Sequence, residues 1–168
     1  KNEDFSLSVG GVRLSAVSVG KQQLSEKALQ YRIFSLSDEK SLHQPLFSTR
    51  GTSSAVLLKK GRYRIEGQYG WHNVRQVREV DVPTGSTVNV NFEFSVCDVT
   101  LKLLSKAGSP MTDVKWTLKY PDGGTVLISQ DAAPRLILQA GNYQAMALHQ
   151  TKAFSRSFVA VAGSGQTI

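Results

Sequence analysis

The chain repeats itself, and this self-similarity restricts the accessible folds more than any single motif. Phe5-Ser6-Leu7-Ser8-Val9-Gly10-Gly11-Val12-Arg13-Leu14-Ser15-Ala16 aligns without a gap with Phe92-Glu93-Phe94-Ser95-Val96-Cys97-Asp98-Val99-Thr100-Leu101-Lys102-Leu103 at an offset of 87. Leu29-Gln30-Tyr31-Arg32-Ile33 then answers Val114-Lys115-Trp116-Thr117-Leu118 at an offset of 85. Leu58-Lys59-Lys60-Gly61-Arg62-Tyr63 answers Leu138-Gln139-Ala140-Gly141-Asn142-Tyr143 at 80 through the shared pattern L-x-x-G-x-Y, and Val80-Asp81-Val82 answers Val159-Ala160-Val161 at 79. A recurring internal period marks repeated structural units, and the shrinking offset places the deletions in turns, where chains tolerate them.

Within each copy the apolar residues alternate. Val12, Leu14 and Ala16, then Leu29, Tyr31 and Ile33, then Val88, Val90 and Phe92 recur at every second position, as do Val99, Leu101 and Leu103 and Val114, Trp116 and Leu118. Such runs, ended by Gly, Pro, Asn, Asp or Ser, read as half-buried strands between turns. Only residues 22–28 have helix-forming composition, and they lack an apolar stripe. The fold expected is all-β, as two tandem small antiparallel β-sandwiches of six or seven strands each, with residues 1–95 in the first and 96–168 in the second. Pro121-Asp122-Gly123-Gly124 reads as a hairpin turn, Pro presetting φ and Gly supplying the positive-φ position. Its counterpart, Ser37-Asp38-Glu39-Lys40, reads as a looser loop. Inward positions are expected at Val12, Leu14, Tyr31, Ile33, Leu58, Tyr63, Ile65, Val80 and Val82. In the second copy they are expected at Val99, Leu101, Val114, Trp116, Leu118, Leu138, Tyr143 and Val161. Residues 5–9 resemble the closing strand of a preceding copy, so the chain reads as a fragment of a longer array.

Twenty Lys and Arg against 13 Asp and Glu give a net charge of +7. Residues 1–95 carry 13 basic and 9 acidic side chains and residues 96–168 carry 7 and 4, so neither half is a concentrated basic domain and no specific nucleic-acid partner is expected. Arg62 and Arg64 fall on one strand face, where a solvated sheet surface accounts for them. The single cysteine, Cys97, excludes an internal disulfide, and its apolar neighbours make it a buried small side chain. His43, His72 and His149 are far apart and unaccompanied, so no metal site is expected. No nucleophile elbow, phosphate-binding loop or dinucleotide fingerprint occurs, and neither Asp38 with Glu39 nor Glu79 with Asp81 makes an acid pair. No catalytic residue, no cofactor and no membrane-inserted segment are expected.

One local feature differs between the copies. Gly67-Gln68-Tyr69-Gly70-Trp71-His72-Asn73 stands where the second copy has Ala147-Leu148-His149-Gln150-Thr151-Lys152-Ala153. Tyr69, Trp71 and His72 at this hairpin tip, followed by Arg75 and Arg78, form the candidate binding site. Aromatic and Arg side chains dominate interface hot spots and stack on sugars or bases. The competing reading folds Trp71 back over the sandwich edge.

The succession V-x-L-x-L, V-x-W-x-L, PDGG, L-x-x-G-x-Y and a closing V-x-V resembles the immunoglobulin-like and transthyretin-like (carboxypeptidase-regulatory-like) β-sandwich repeats of bacterial envelope proteins, including repeats of alphaproteobacterial periplasmic proteins. The resemblance implies a non-enzymatic structural or interaction segment that spaces or presents other domains. It implies a periplasmic or cell-surface location and, as partners, other domains of the parent protein or another envelope protein. The alternative is a module that binds a glycan or anionic polymer through the Trp71 tip and nearby basic residues.

Overall fold

The structure is a computed structural model that describes residues 8–20, 23–37, 43–70 and 73–168. The chain forms two compact units. Unit 1 is built from residues 8–17, 23–37, 43–69 and 75–93, and unit 2 from 18–20, 70, 73–74 and 94–168. Trp71, His72 and most of the Ser37-Asp38-Glu39-Lys40 loop lie outside the described residues, as do Phe5 and Leu7.

Unit 1 contains β1 (Val9–Ser18), β2 (Leu29–Ser35), β3 (Phe47–Arg50), β4 (Ser53–Lys59), β5 (Gly61–Tyr69), β6 (Arg75–Val82) and β7 (Thr87–Phe94), with one 3-10 turn at Glu26–Ala28. Its strands form a three-stranded sheet in the order β4-β1-β7 and a four-stranded sheet in the order β3-β2-β5-β6. Unit 2 contains β8 (Val96–Thr100), β9 (Val114–Lys119), β10 (Thr125–Ser129), β11 (Arg135–Gln139), β12 (Gly141–His149), β13 (Lys152–Ala160) and β14 (Gly165–Thr167). Their orders, β11-β8-β14 and β10-β9-β12-β13, repeat the topology of unit 1 strand for strand. The fold is all-β, two small sandwiches in which antiparallel pairing dominates.

The duplication extends to individual hydrogen bonds. Gly85 N–H donates to Val9 O and Gly11 N–H to Ser86 O, both at 2.8 Å. In unit 2 Gly163 N–H donates to Val96 O at 2.8 Å and Asp98 N–H to Ser164 O at 3.1 Å. Lys60 N–H to Ser8 O (3.0 Å) is matched by Ala140 N–H to Ser95 O (2.7 Å). These bonds show where the antiparallel expectation gives way. In each unit the last strand lies parallel to the first, with Gly165 opposite Asp98 and Thr167 opposite Thr100 in unit 2. A parallel neighbour requires a long crossover, and in each unit the intervening strands supply it.

The two inner faces close over apolar side chains. Val12, Leu14, Leu29, Tyr31, Ile33, Ile65 and Phe92 are buried in unit 1, and Cys97, Val99, Leu101, Val114, Trp116, Leu118, Leu138 and Tyr143 in unit 2. Tyr31 and Trp116 occupy equivalent seats: Tyr31 lies opposite Gly67 across β2 and β5, and Trp116 opposite Ala147 across β9 and β12. In the β9–β10 hairpin Gly123 adopts φ +92° and donates to Tyr120 O at 3.0 Å, while Asp122 Oδ1 accepts Gly124 N–H at 3.0 Å.

One expectation fails by a single residue. Val161 is exposed, and Val80 is only half-buried. Tyr63 pairs with Val80 and Tyr143 with Phe158, while Gly61 pairs with Val82 and Gly141 with Ala160. The true counterparts of Val80 and Val82 are therefore Phe158 and Ala160, not Val159 and Val161. The β5–β6 connection is two residues longer than that between β12 and β13, because Gln68 pairs with Arg75 but Leu148 with Ala153. With a side-chain period of two, a one-residue slip inverts the inward set.

Candidate functional site

The structure separates the residues of the expected binding site. Tyr69 ends β5 with its side chain in the core, 4 % exposed, and its hydroxyl accepts Ser25 N–H at 3.1 Å. Arg75 lies on the outer face of the four-stranded sheet, where its Nη2 donates to Glu66 Oε1 at 2.5 Å. Arg78 lies on the opposite, inner face, with its guanidinium 5.7 Å from the centre of the Phe92 ring and its Nη2 donating to Gln76 Oε1 at 3.0 Å. Arg75 and Arg78 thus point to opposite sides of β6, as their odd spacing requires.

The outer face of unit 1 explains the basic cluster. Glu66 is 3 % exposed and accepts from three arginines on three strands: Arg32 (3.4 Å), Arg64 (3.5 Å) and Arg75 (2.5 Å). Arg64 also lies 4.5 Å over the Phe34 ring. Arg62, farther along β5, reaches Glu79 at 3.4 Å and Asp81 at 3.6 Å. A buried carboxylate is tolerated only when paired, and here the surrounding guanidinium groups pair it.

The pattern L-x-x-G-x-Y resolves into a bond. Tyr63 donates its hydroxyl to Lys59 O, and Tyr143 donates to Gln139 O, both at 2.7 Å. Burial pushes both phenols above their ordinary pKa of 10.0. In unit 2 Asn73 joins the arrangement, its Nδ2 donating to the Tyr143 hydroxyl at 2.6 Å and its Oδ1 accepting Gln139 N–H at 3.1 Å. The Asn73 bond opposes the effect of burial on Tyr143. Sequence reasoning missed Asn73, since its partners stand 66 and 70 residues away. Cys97 is fully buried, its Sγ beside Ser164 Oγ (3.5 Å) and Gln166 Oε1 (3.4 Å). Among the described residues no group of three His, Cys, Asp or Glu side chains gathers, and no helix is long and apolar enough to cross a membrane.

Unit 2 also carries an apolar cleft of about 130 Å³ at the open side of its sandwich. Leu103, Trp116, Ala147, Phe154, Arg156 and Ile168 line it. Trp116 is 4 % exposed, and its Nε1–H has no acceptor among the described residues. Phe154 is 43 % exposed although its register partner, Ala147, is buried. The sequence did hold a signal for this site: the first copy runs on through Val90 to Phe94, whereas the second has no residues aligned with Asn91, Phe92, Glu93 and Phe94.

No curated protein sequence matches the chain. Among solved structures it is similar to the TIE protein of Bacillus anthracis, at 14 % identity over 96 % of this chain and 33 % of that one, with a TM-score of 0.38. It is also similar to a streptococcal ancillary pilin, at 13 % identity over 90 % and 59 % with a TM-score of 0.48. A third is the pilus adhesin SpaC of Lactobacillus rhamnosus GG, at 13 % identity over 92 % and 26 % with a TM-score of 0.33. The chain thus spans between 26 and 59 % of the length of these three proteins. In sequence, residues 98–168 match the family described as the Rhizobiales growth-associated tandem repeat domain.

Proposed function

We propose that this chain is a non-enzymatic structural and interaction segment of a repeat-containing exported bacterial protein, in which tandem β-sandwiches space or present other domains and contact neighbouring proteins of the envelope. One observation carries the reading: the two units repeat the same framework down to equivalent hydrogen bonds, and the conserved polar groups between them, the Tyr63 and Tyr143 hydroxyls, are spent on that framework. The match of residues 98–168 to a tandem repeat family supports it. A tyrosine hydroxyl bonded to backbone a few residues upstream also recurs at one corner of immunoglobulin-type sandwiches, which favours that type for these units. A periplasmic or cell-surface location belongs to the same proposal, and protease accessibility of the natural protein in intact and permeabilised cells checks it.

The test of the role itself compares the chain with its Trp71→Ala variant on a panel of glycans and polyanions. The expected result is no retention at physiological salt, and attraction at low salt that disappears as the ionic strength rises and is unchanged by the substitution. Binding that survives physiological salt and is lost in Trp71→Ala overturns the reading in favour of a ligand-binding module.

A further inference from the structure

The cleft of unit 2 is the seat that Phe92 fills in unit 1. Phe92 is fully buried, its ring centre 5.4 Å from that of Tyr31. A Cβ built on Gly67 would stand 2.8 Å from the Phe92 ring, and Arg78 lies over the same ring at 5.7 Å. Strand pairing equates Tyr31 with Trp116, Gly67 with Ala147 and Arg78 with Arg156. All three equivalents line the cleft of unit 2. Its volume of about 130 Å³ is that of a single six-membered ring, since an apolar cavity of about 150 Å³ admits benzene.

The backbone beside the cleft is also open. Lys102 N–H donates to Ile168 O at 2.9 Å, so residue 102 faces the line of β14. Leu103 faces the other way, its carbonyl accepting Met111 N–H at 2.9 Å. By alternation, Lys102 C=O and Leu104 N–H point to the track along which β14 would continue. In unit 1 that track is occupied by the second half of β7, which ends in Phe92-Glu93-Phe94.

We propose that this cleft and edge accept the segment Phe5-Ser6-Leu7 of a second copy of the chain, added as a parallel strand that continues β14 and seats the Phe5 ring against Trp116. The occupant is chosen by the internal repeat. Phe5-Ser6-Leu7-Ser8-Val9 aligns without a gap with Phe92-Glu93-Phe94-Ser95-Val96, the stretch whose first residue fills the equivalent seat in unit 1. Charge agrees with the choice: Glu3 and Asp4 precede Phe5, and both charged residues lining the cleft, Lys102 and Arg156, are basic. Strand addition of this kind takes its affinity from main-chain bonds and its specificity from the side-chain seat. Because donor and acceptor surfaces differ, the contact is heterologous and propagates head to tail. The proposal names the partner of the interaction role given above and rests on it.

The experiment uses the full chain carrying Trp71→Phe, which leaves Trp116 as the only indole, titrated with a peptide of residues 2–10. Expected are a saturable change in Trp116 emission and a loss of affinity of about tenfold or more for the Phe5→Ser peptide. Arg156→Glu, at an exposed position, weakens the wild-type peptide without touching the core. Sedimentation equilibrium of the full chain is expected to show self-association that rises with concentration and disappears in Phe5→Ser. Equal binding of the two peptides, or a Trp116 signal that does not move, overturns the proposal. So does a chain that stays monomeric at every concentration while Phe5→Ser alters its Trp116 emission, since its own segment would then occupy the cleft. None of these failures changes the glycan result, so the broader functional reading stands or falls separately.

Discussion

Unit 1 and unit 2 share a framework and differ at one seat. In unit 1 the four-stranded sheet is covered along its inner face, because β7 runs on to bring Phe92 over Tyr31 and Gly67. In unit 2 β14 is three residues long, and the corresponding patch of Trp116, Ala147 and Phe154 lies along an open cleft. The side chains around the seat follow its occupancy. Glycine stands where the ring of Phe92 presses, and alanine where nothing does. A repeat fold conserves its ladders and corners strictly, while the plug that closes each sandwich is a separable part.

The sharpest way to break this comparison is Phe92→Ala. Removing a fully buried phenylalanine costs about 3–5 kcal/mol, and the loss is expected in unit 1 alone. Hydrogen exchange should accelerate in β2 and β5 while β9 and β12 keep their protection; equal loss in both units would remove the distinction between plugged and open sandwiches. Alkaline titration comes next. Burial pushes the Tyr31 phenol from 10.0 to about 12, so the folded state holds its proton more tightly than the unfolded one. The associated stability is fully present below pH 10 and is lost as the pH rises from 10 to about 12, by about 3 kcal/mol at the upper end. Trp116 does not titrate, so unit 2 lacks this contribution. Tyr31→Phe should flatten unit 1's share of the alkaline loss in denaturant midpoints, and it leaves the neutral-pH stability near its original value because the hydroxyl has no partner among the described residues.

A reciprocal exchange sharpens the comparison further. Gly67→Ala drives a methyl into the Phe92 ring and is expected to cost about 1–3 kcal/mol in urea denaturation. Ala147→Gly should cost about 0.5–1 kcal/mol of strand stability and deepen the cleft, so that the residue 2–10 peptide binds more tightly. The smallest effect belongs to Arg62→Gln. Its pairs with Glu79 and Asp81 lie between side chains that are mostly exposed, and such pairs contribute about 0–1 kcal/mol. A larger loss, or one that high salt does not diminish, would show that the charged face of unit 1 does more than stay solvated.

The sequence was most legible where one residue type satisfies one local demand. Alternation at Val12 and Leu14 or at Val99 and Leu101 announces strands with a single buried face, and Pro121-Asp122-Gly123-Gly124 announces a turn, since few other residues suit those φ values. The last strand of the four-stranded sheet in unit 2 was harder. Phe158, Val159, Ala160 and Val161 are apolar on both faces, so alternation does not choose a register, and the two-residue difference in hairpin length is what decides it. The candidate site was least legible. Tyr69 and Arg75 are drawn into pairs with Ser25 and Glu66. The Glu66 cluster brings together residues from three strands, and Asn73 meets Tyr143 across 70 positions. No local spacing encodes such meetings, because tertiary packing alone brings them about. The open cleft, by contrast, was written in the alignment as four residues without counterparts.

The parallel neighbours at the start and finish of each sandwich have a mechanical consequence. Because β7 lies beside β1 and points the same way, the polypeptide enters a unit at one pole and departs from the other. Traction on the backbone therefore shears the whole rung set between these strands at once, where an antiparallel hairpin would unzip one rung at a time. Unit 2 has only a short version of this clamp, Gly165 to Thr167 against Asp98 to Thr100. Single-molecule stretching is accordingly expected to open it at lower force than unit 1, and a strand added to its vacant track would lengthen the sheared stretch and raise that force.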